Sequence, residues 1–80
     1  MLGGDNLKNY IGGAATIELT GNRMAVVDGS DGIIDYNSEE IIVKIGKLTV
    51  RFLGHSLKLK KLTENSAVIE GFIKSVEYTY

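Results

Sequence analysis

From Thr16 onward apolar residues recur at every second position. Ile17 and Leu19 alternate with Glu18 and Thr20, and Ile41, Val43 and Ile45 with Glu40, Ile42 and Lys44. Leu48, Val50 and Phe52 share a phase that leaves Thr49 and Arg51 on the other side, and Leu57 and Leu59 alternate with Lys58 and Lys60. A period of two sorts side chains onto opposite faces of an extended chain, whereas a helix needs a period near 3.6. Turn signals separate these runs about every 8–12 residues, the spacing of an all-β sandwich or barrel.

The punctuation is mostly glycine. Gly21-Asn22 fits a two-residue hairpin before a return strand over Arg23 to Val27, because glycine takes the positive φ such a turn requires. Asp28, Gly29, Ser30, Asp31 and Gly32 separate that strand from a short one over Ile33 to Tyr36. Gly46-Lys47 makes the next turn, Gly54 ends or bends the strand that follows, and Thr63 to Ser66 is a loop by composition. In the last run, Ala67 to Tyr80, Ile69 and Ile73 are odd whereas Phe72, Val76, Tyr78 and Tyr80 are even, which predicts a bulge or bend near Gly71 to Ser75. The count is about seven strands, mostly antiparallel, since the connections are too short for crossover helices. The expected fold is a small antiparallel β-sandwich with at most a short N-terminal helix.

Residues 1–15 differ from the rest, being glycine-rich and nearly free of β-branched side chains. They read as a flexible or short-helical leader, with Asp5 as a cap, Leu7, Tyr10 and Ile11 on one face and Gly12 as the stop. Residues 16–80 form a single β domain, because a chain of 80 residues cannot divide its core. An apolar fraction of 44% with 24% charged residues is that of a folding, soluble chain. The sequence shows neither a membrane span nor a signal segment, and a cytoplasmic location is expected.

Reactive chemistry is sparse. With no cysteine there are no disulfides and no thiolate metal sites. His55 is the sole histidine and has no second ligand type beside it in sequence, so it reads as an exposed turn residue. None of Ser30, Ser38, Ser56, Ser66 and Ser75 sits in a nucleophile-elbow sequence. The acidic group Asp28, Asp31, Asp35, Glu39 and Glu40 departs from a calcium loop at Ser30 and Gly32, and Asp with Gly is what tight turns use. Gly32 leads into a strand, where a phosphate cradle needs a helix. No catalytic residue, metal site or cofactor is assigned.

Two surface features remain. The chain has no proline to guard its sheet edges, and several residues outside the core phase are apolar, which gives Ile42, Leu53, Phe72, Tyr78 and Tyr80 as a candidate interaction surface. Lys44, Arg51, Lys58 and Lys60 form a candidate basic stripe if their strands are neighbours. A net charge of −1 offers no general attraction to nucleic acid, and a solvated lysine face is the simpler reading of that stripe.

The ordered series "IELTGNRMAVVDGSDGIIDYNSEEIIVKIGKLTVRFLGHSLKLKKL" followed by "AVIEGFIKSVEY" resembles the YabP/YqfC family, in particular its YqfC-like branch. The residues that carry the likeness are Ile17, Leu19, Gly21 and Asn22; Gly32, Ile33 and Tyr36; Ile41, Gly46, Leu48, Val50 and Gly54; and Leu57, Leu59, Ile69, Gly71 and Ile73. The acidic "DGSDG" loop and the missing proline ahead of the first strand depart from the family pattern. The resemblance implies a non-enzymatic sporulation protein with a small β-sandwich fold and no catalytic residues to carry over. The expectation is a structural or interaction module, assembling with itself or a protein partner through sheet faces or edges during spore formation. A single-stranded nucleic-acid binder using the basic stripe is the alternative.

Overall fold

The computed structural model describes residues 8–11 and 15–80. Seven strands follow one another: β1 (Lys8–Ile11), β2 (Ala15–Thr20), β3 (Met24–Asp28), β4 (Gly32–Tyr36), β5 (Glu40–Ile45), β6 (Leu48–Leu62) and β7 (Ser66–Thr79). They form one antiparallel sheet in the order β1-β2-β3-β7-β6-β5-β4. The all-β class and the antiparallel connectivity are those the alternation predicts.

The sheet folds over on itself, and the two long strands make this possible. β6 and β7 pair along their whole length, but different halves of them carry different neighbours. Met24 to Asp28 of β3 lie against Glu70 to Ser66 of β7, while Glu40 to Ile45 of β5 lie against Leu53 to Leu48 of β6. One layer is therefore β1, β2, β3 and the near halves of β7 and β6; the other is β4, β5 and the remaining halves. Ile17, Ala25, Val27 and Ile69 of the first and Ile41, Val43, Val50 and Phe52 of the second are all 0% exposed and belong to one cluster. Among the described residues nothing but the opposite layer covers them, so the two inner faces form the core of a small sandwich.

Two glycines permit the fold-over. A Cβ on Gly54 would stand 1.8 Å from the Phe72 carbonyl oxygen, and one on Gly71 (φ +137°) would stand 2.4 Å from that of Ser56. Each is the point where one strand of the ribbon crosses the backbone of the other with no room for a side chain. Register shifts follow at Leu53/Gly54, His55/Lys58 and Leu59/Lys61, and Ser56 takes φ +55°. The neighbouring turns track the ribbon around the corner: Gly54 N–H donates to Glu39 C=O and Leu57 N–H to Ser38 C=O. On the other side Gly71 N–H donates to Arg23 C=O and Ile73 N–H to Asn22 C=O.

Three sequence expectations change in detail. The two strands read on either side of Gly54 are one bent strand, because the glycine redirects the chain without breaking its pairing. Gly21-Asn22 belongs to a three-residue loop, since Thr20 pairs with Met24 and Arg23 N–H closes the turn on Thr20 C=O. Within the leader, Lys8–Ile11 is a strand rather than part of a helix, and Ala15 already belongs to β2. A helix of one or two turns is marginal in water, whereas the strand gains a ladder with Ala15 to Glu18. The rest of the leader, including Asp5, Leu7 and Gly12, lies outside the described residues.

Candidate interaction surface

The acidic loop between β3 and β4 is built as structural wiring. Gly29 and Gly32 take φ of +85° and +145°, Gly29 and Ser30 both donate to Asn65 C=O, and Asp31 N–H donates to Lys44 C=O at 2.8 Å. The Asp31 carboxylate accepts the Gly46 N–H at 2.6 Å, a charge-assisted bond that ties this loop to the β5–β6 turn. Gly46 itself has φ +59° at the first central position of that two-residue turn, as a hairpin of this length favours. Ser30 is buried, and its hydroxyl has no hydrogen-bond partner among the described residues. Among the described residues no three of His, Cys, Asp and Glu gather closely enough to hold a metal ion.

The basic stripe is divided by the bend. Lys44 and Arg51 lie on the outer face of the β4–β5 layer, whereas Lys58 and Lys60 lie beyond Gly54 in the other layer. Three of the four cations also have local partners. Lys44 Nζ donates to Gly46 C=O at 2.8 Å, and Lys60 Nζ is 3.9 Å from a Glu70 carboxylate oxygen. Arg51 Nε is 2.8 Å from Glu40 Oε2 and its Nη1 3.6 Å from Glu77 Oε1.

The five candidate interaction residues fall in three places. Ile42 and Leu53 are half-buried on the outer face of the β4–β5 layer, and the Arg51–Glu40 ion pair spans the diagonal between them. Phe72 is at the bend. Tyr78 lies at the far end of β7 and Tyr80 just beyond it, 45% and 97% exposed, with Tyr78 opposite the buried Val50. Ile34, Tyr36 and Leu62, also exposed, belong to two other sheet edges.

Around Phe72 the structure assembles a group that the sequence reading missed. His55 is its cross-strand neighbour on β6, with ring centroids 4.7 Å apart and planes 20° from parallel. Arg23, from the turn bonded along the other side of β7, places its guanidinium carbon 4.3 Å from the ring centroid. The three cover the outside of the corner, and Asn22, Ile73 and Lys74 complete a shallow depression there. The signal was present: His55 and Phe72 each follow a glycine within a long apolar run, and those two glycines are the bend. His55 is thus a stacking partner within a strand, not a free turn residue.

No helix among the described residues is long and apolar enough to cross a membrane. No curated protein and no solved structure gives a significant match to the chain. The family model described as the YabP family matches residues 12–80, a span from the approach to β2 through the end of β7, without distinguishing a YqfC-like branch within it. That span carries both layers and both bend glycines, and the chain belongs to the YabP family, a membership that suggests a sporulation-related protein.

Proposed function

We propose that this protein is a non-enzymatic structural module that assembles through its sheet edges or faces during spore formation, in the cytoplasm of the sporulating cell. The supporting observation is the placement of its exposed large apolar side chains. Ile34 and Tyr36 on β4, Leu62 on β6, and Tyr78 and Tyr80 at the end of β7 all sit along edges of the sheet, where strand pairing and apolar contact act together. The polar groups a catalytic reading would need have structural work in the fold: Asp31 holds a turn, His55 stacks on Phe72, and Glu40 pairs with Arg51.

Sedimentation of the purified chain over a wide concentration range tests the self-assembly reading. The expected result is a mass above that of one chain at micromolar concentration. A single-chain mass up to millimolar concentration overturns it. The nucleic-acid alternative has less support, because the bend divides Lys44 and Arg51 from Lys58 and Lys60. It would require oligonucleotide binding at physiological salt that weakens on replacing Lys58 and Lys60 by alanine.

A further inference from the structure

Among the described residues the sheet ends in four free edges, which are protected to different degrees. β1 has only 4 residues. β4 has 5, with a register irregularity between Ile33 and Asp35 and the Asp35 charge within it. The half of β6 beyond Gly54 carries Lys58, Lys60 and Lys61 and two register shifts. Short length, bulges and lysines are the usual guards against edge pairing. The end of β7 is less guarded: Lys74 and the register shift at Leu53/Gly54 precede it, but from Thr49↔Thr79 to Leu53↔Ser75 its ladder with β6 runs without a shift, and Glu77 is the sole charged residue from Ser75 to Thr79.

The direction of the backbone groups at this edge follows from the ladder. Leu48 closes the two-residue turn against Ile45, and Gly54 N–H donates to Glu39, so even-numbered residues of this part of β6 point their backbone groups at β5. Odd-numbered Thr49, Arg51 and Leu53 therefore point at β7 and pair with Thr79, Glu77 and Ser75. This leaves the N–H and C=O groups of Val76, Tyr78 and Tyr80 aimed outward. Their side chains lie on the core-facing side, where Val76 is half-buried and both tyrosines are exposed.

We infer that the second half of β7 pairs antiparallel with the same segment of a second copy of this chain, about a two-fold axis through Tyr78. This rests on the assembly reading above and names the edge and the partner. An antiparallel pair that keeps core face with core face, and uses the outward backbone groups, can centre on Val76, Glu77 or Tyr78. Centring on Glu77 sets two carboxylates directly opposite each other, which is unfavourable. Centring on Val76 brings Thr79 and Tyr80 of one copy against Ile73 and Phe72 of the other, where Asn22 C=O already takes the Ile73 N–H. Centring on Tyr78 meets neither obstacle. It places Tyr78 against Tyr78, Val76 against Tyr80 and Glu77 against Thr79, and it covers the exposed tyrosines with apolar neighbours. A net charge of −1 per chain opposes the approach little.

The test combines mass and distance. The wild-type chain should sediment as a dimer. Tyr78→Lys sets two ammonium groups opposite each other on the axis and should raise the dimer dissociation constant at least about tenfold. Tyr80→Lys, altering a side chain that is 97% exposed and so no threat to the fold, should raise it in the same direction. Because the chain has no cysteine, Thr79→Cys accepts a single nitroxide. In the Tyr78-centred pair its two copies are offset by about 7 Å along the strands and about 5 Å across them, which predicts an inter-label distance below about 20 Å. A dimer that survives both lysine variants, or labels more than about 30 Å apart, overturns the β7 pairing and leaves the assembly reading standing. A chain that stays monomeric overturns both, and a trimer overturns the two-fold pairing alone.

Discussion

Replacing Gly54 by alanine tests the account of the bend. The new Cβ would sit 1.8 Å from the Phe72 carbonyl oxygen, with the Phe72 carbonyl carbon at 2.9 Å and Ile73 Cα at 3.2 Å. An ordinary carbon–oxygen contact is about 3.3 Å, so β6 and β7 must separate by roughly 1.5 Å at their tightest crossing. All three atoms are backbone, and no side chain can rotate aside. Overpacking of this kind costs about 1–3 kcal/mol, and weakening the Gly54 N–H bond to Glu39 adds about 1 kcal/mol. The smaller conformational freedom of unfolded alanine returns about 0.4–1 kcal/mol. The net loss is about 1–3.6 kcal/mol, or a fall in Tm of roughly 4–30 °C for a domain of this size. Gly21→Ala is the control. Its Cβ would meet nothing within 4 Å, and only the φ of +54° opposes it, at about 1–2 kcal/mol. Thermal and urea unfolding followed by circular dichroism would compare the two. If Gly54→Ala loses no more stability than Gly21→Ala, the two strands do not cross as closely as described.

Phe52 is 0% exposed and faces Ile41 and Val76 across its neighbouring strands, so Phe52→Ala should lose about 3–5 kcal/mol in urea unfolding, a large share of a domain's total. Ser30→Ala removes a buried hydroxyl without a partner among the described residues and should leave stability unchanged or raise it by about 1 kcal/mol; a loss above that, in the same assay, would show that the hydroxyl is bonded. Arg51→Ala breaks two ion pairs at a side chain that is 46% exposed, so it should cost no more than about 1 kcal/mol, and raising the salt concentration should shrink the difference.

The sequence shows some parts of this architecture better than others, for physical reasons. Strands buried on one face write their period into the chain, so β5 and the first half of β6 are legible residue by residue, down to the Gly46-Lys47 turn. The phase switch in the last run is legible too: Ile73 is nearly buried on one side of it and Val76 half-buried on the other, and the register with β6 shifts between them. Gly54 is not legible in the same way, because glycine marks a strand end and a strand bend with the same letter; only its crossing with the backbone of Phe72, distant in sequence, separates the two. The strand at Lys8–Ile11 depends on a partner to its C-terminal side and leaves little local pattern. Of the surface candidates, Phe72, Tyr78 and Tyr80 are exposed while Ile42 and Leu53 are half-buried, and alternation cannot show that Arg51 and Lys58, close in sequence, are separated by the bend in space.

The ribbon of β6 and β7 also bears on how the molecule gains its structure in time. Its turn, Thr63 to Ser66, is closed by local bonds, with Thr63 N–H donating to Ser66 C=O and the Thr63 hydroxyl bridging to Ser66. Pairing can start there at small loop-closure cost and zip outward, each step joining residues further apart in sequence. The zipper reaches Gly54 and Gly71 only after the first half has formed, and the turn at the corner commits the second half to face it. Because β3 docks on one half of this ribbon and β5 on the other, with β1, β2 and β4 built onto them, neither layer forms or unfolds alone. Amide exchange should find the slowest protons around Ile69 and Phe52, on both sides of the bend, leaving together in one cooperative opening.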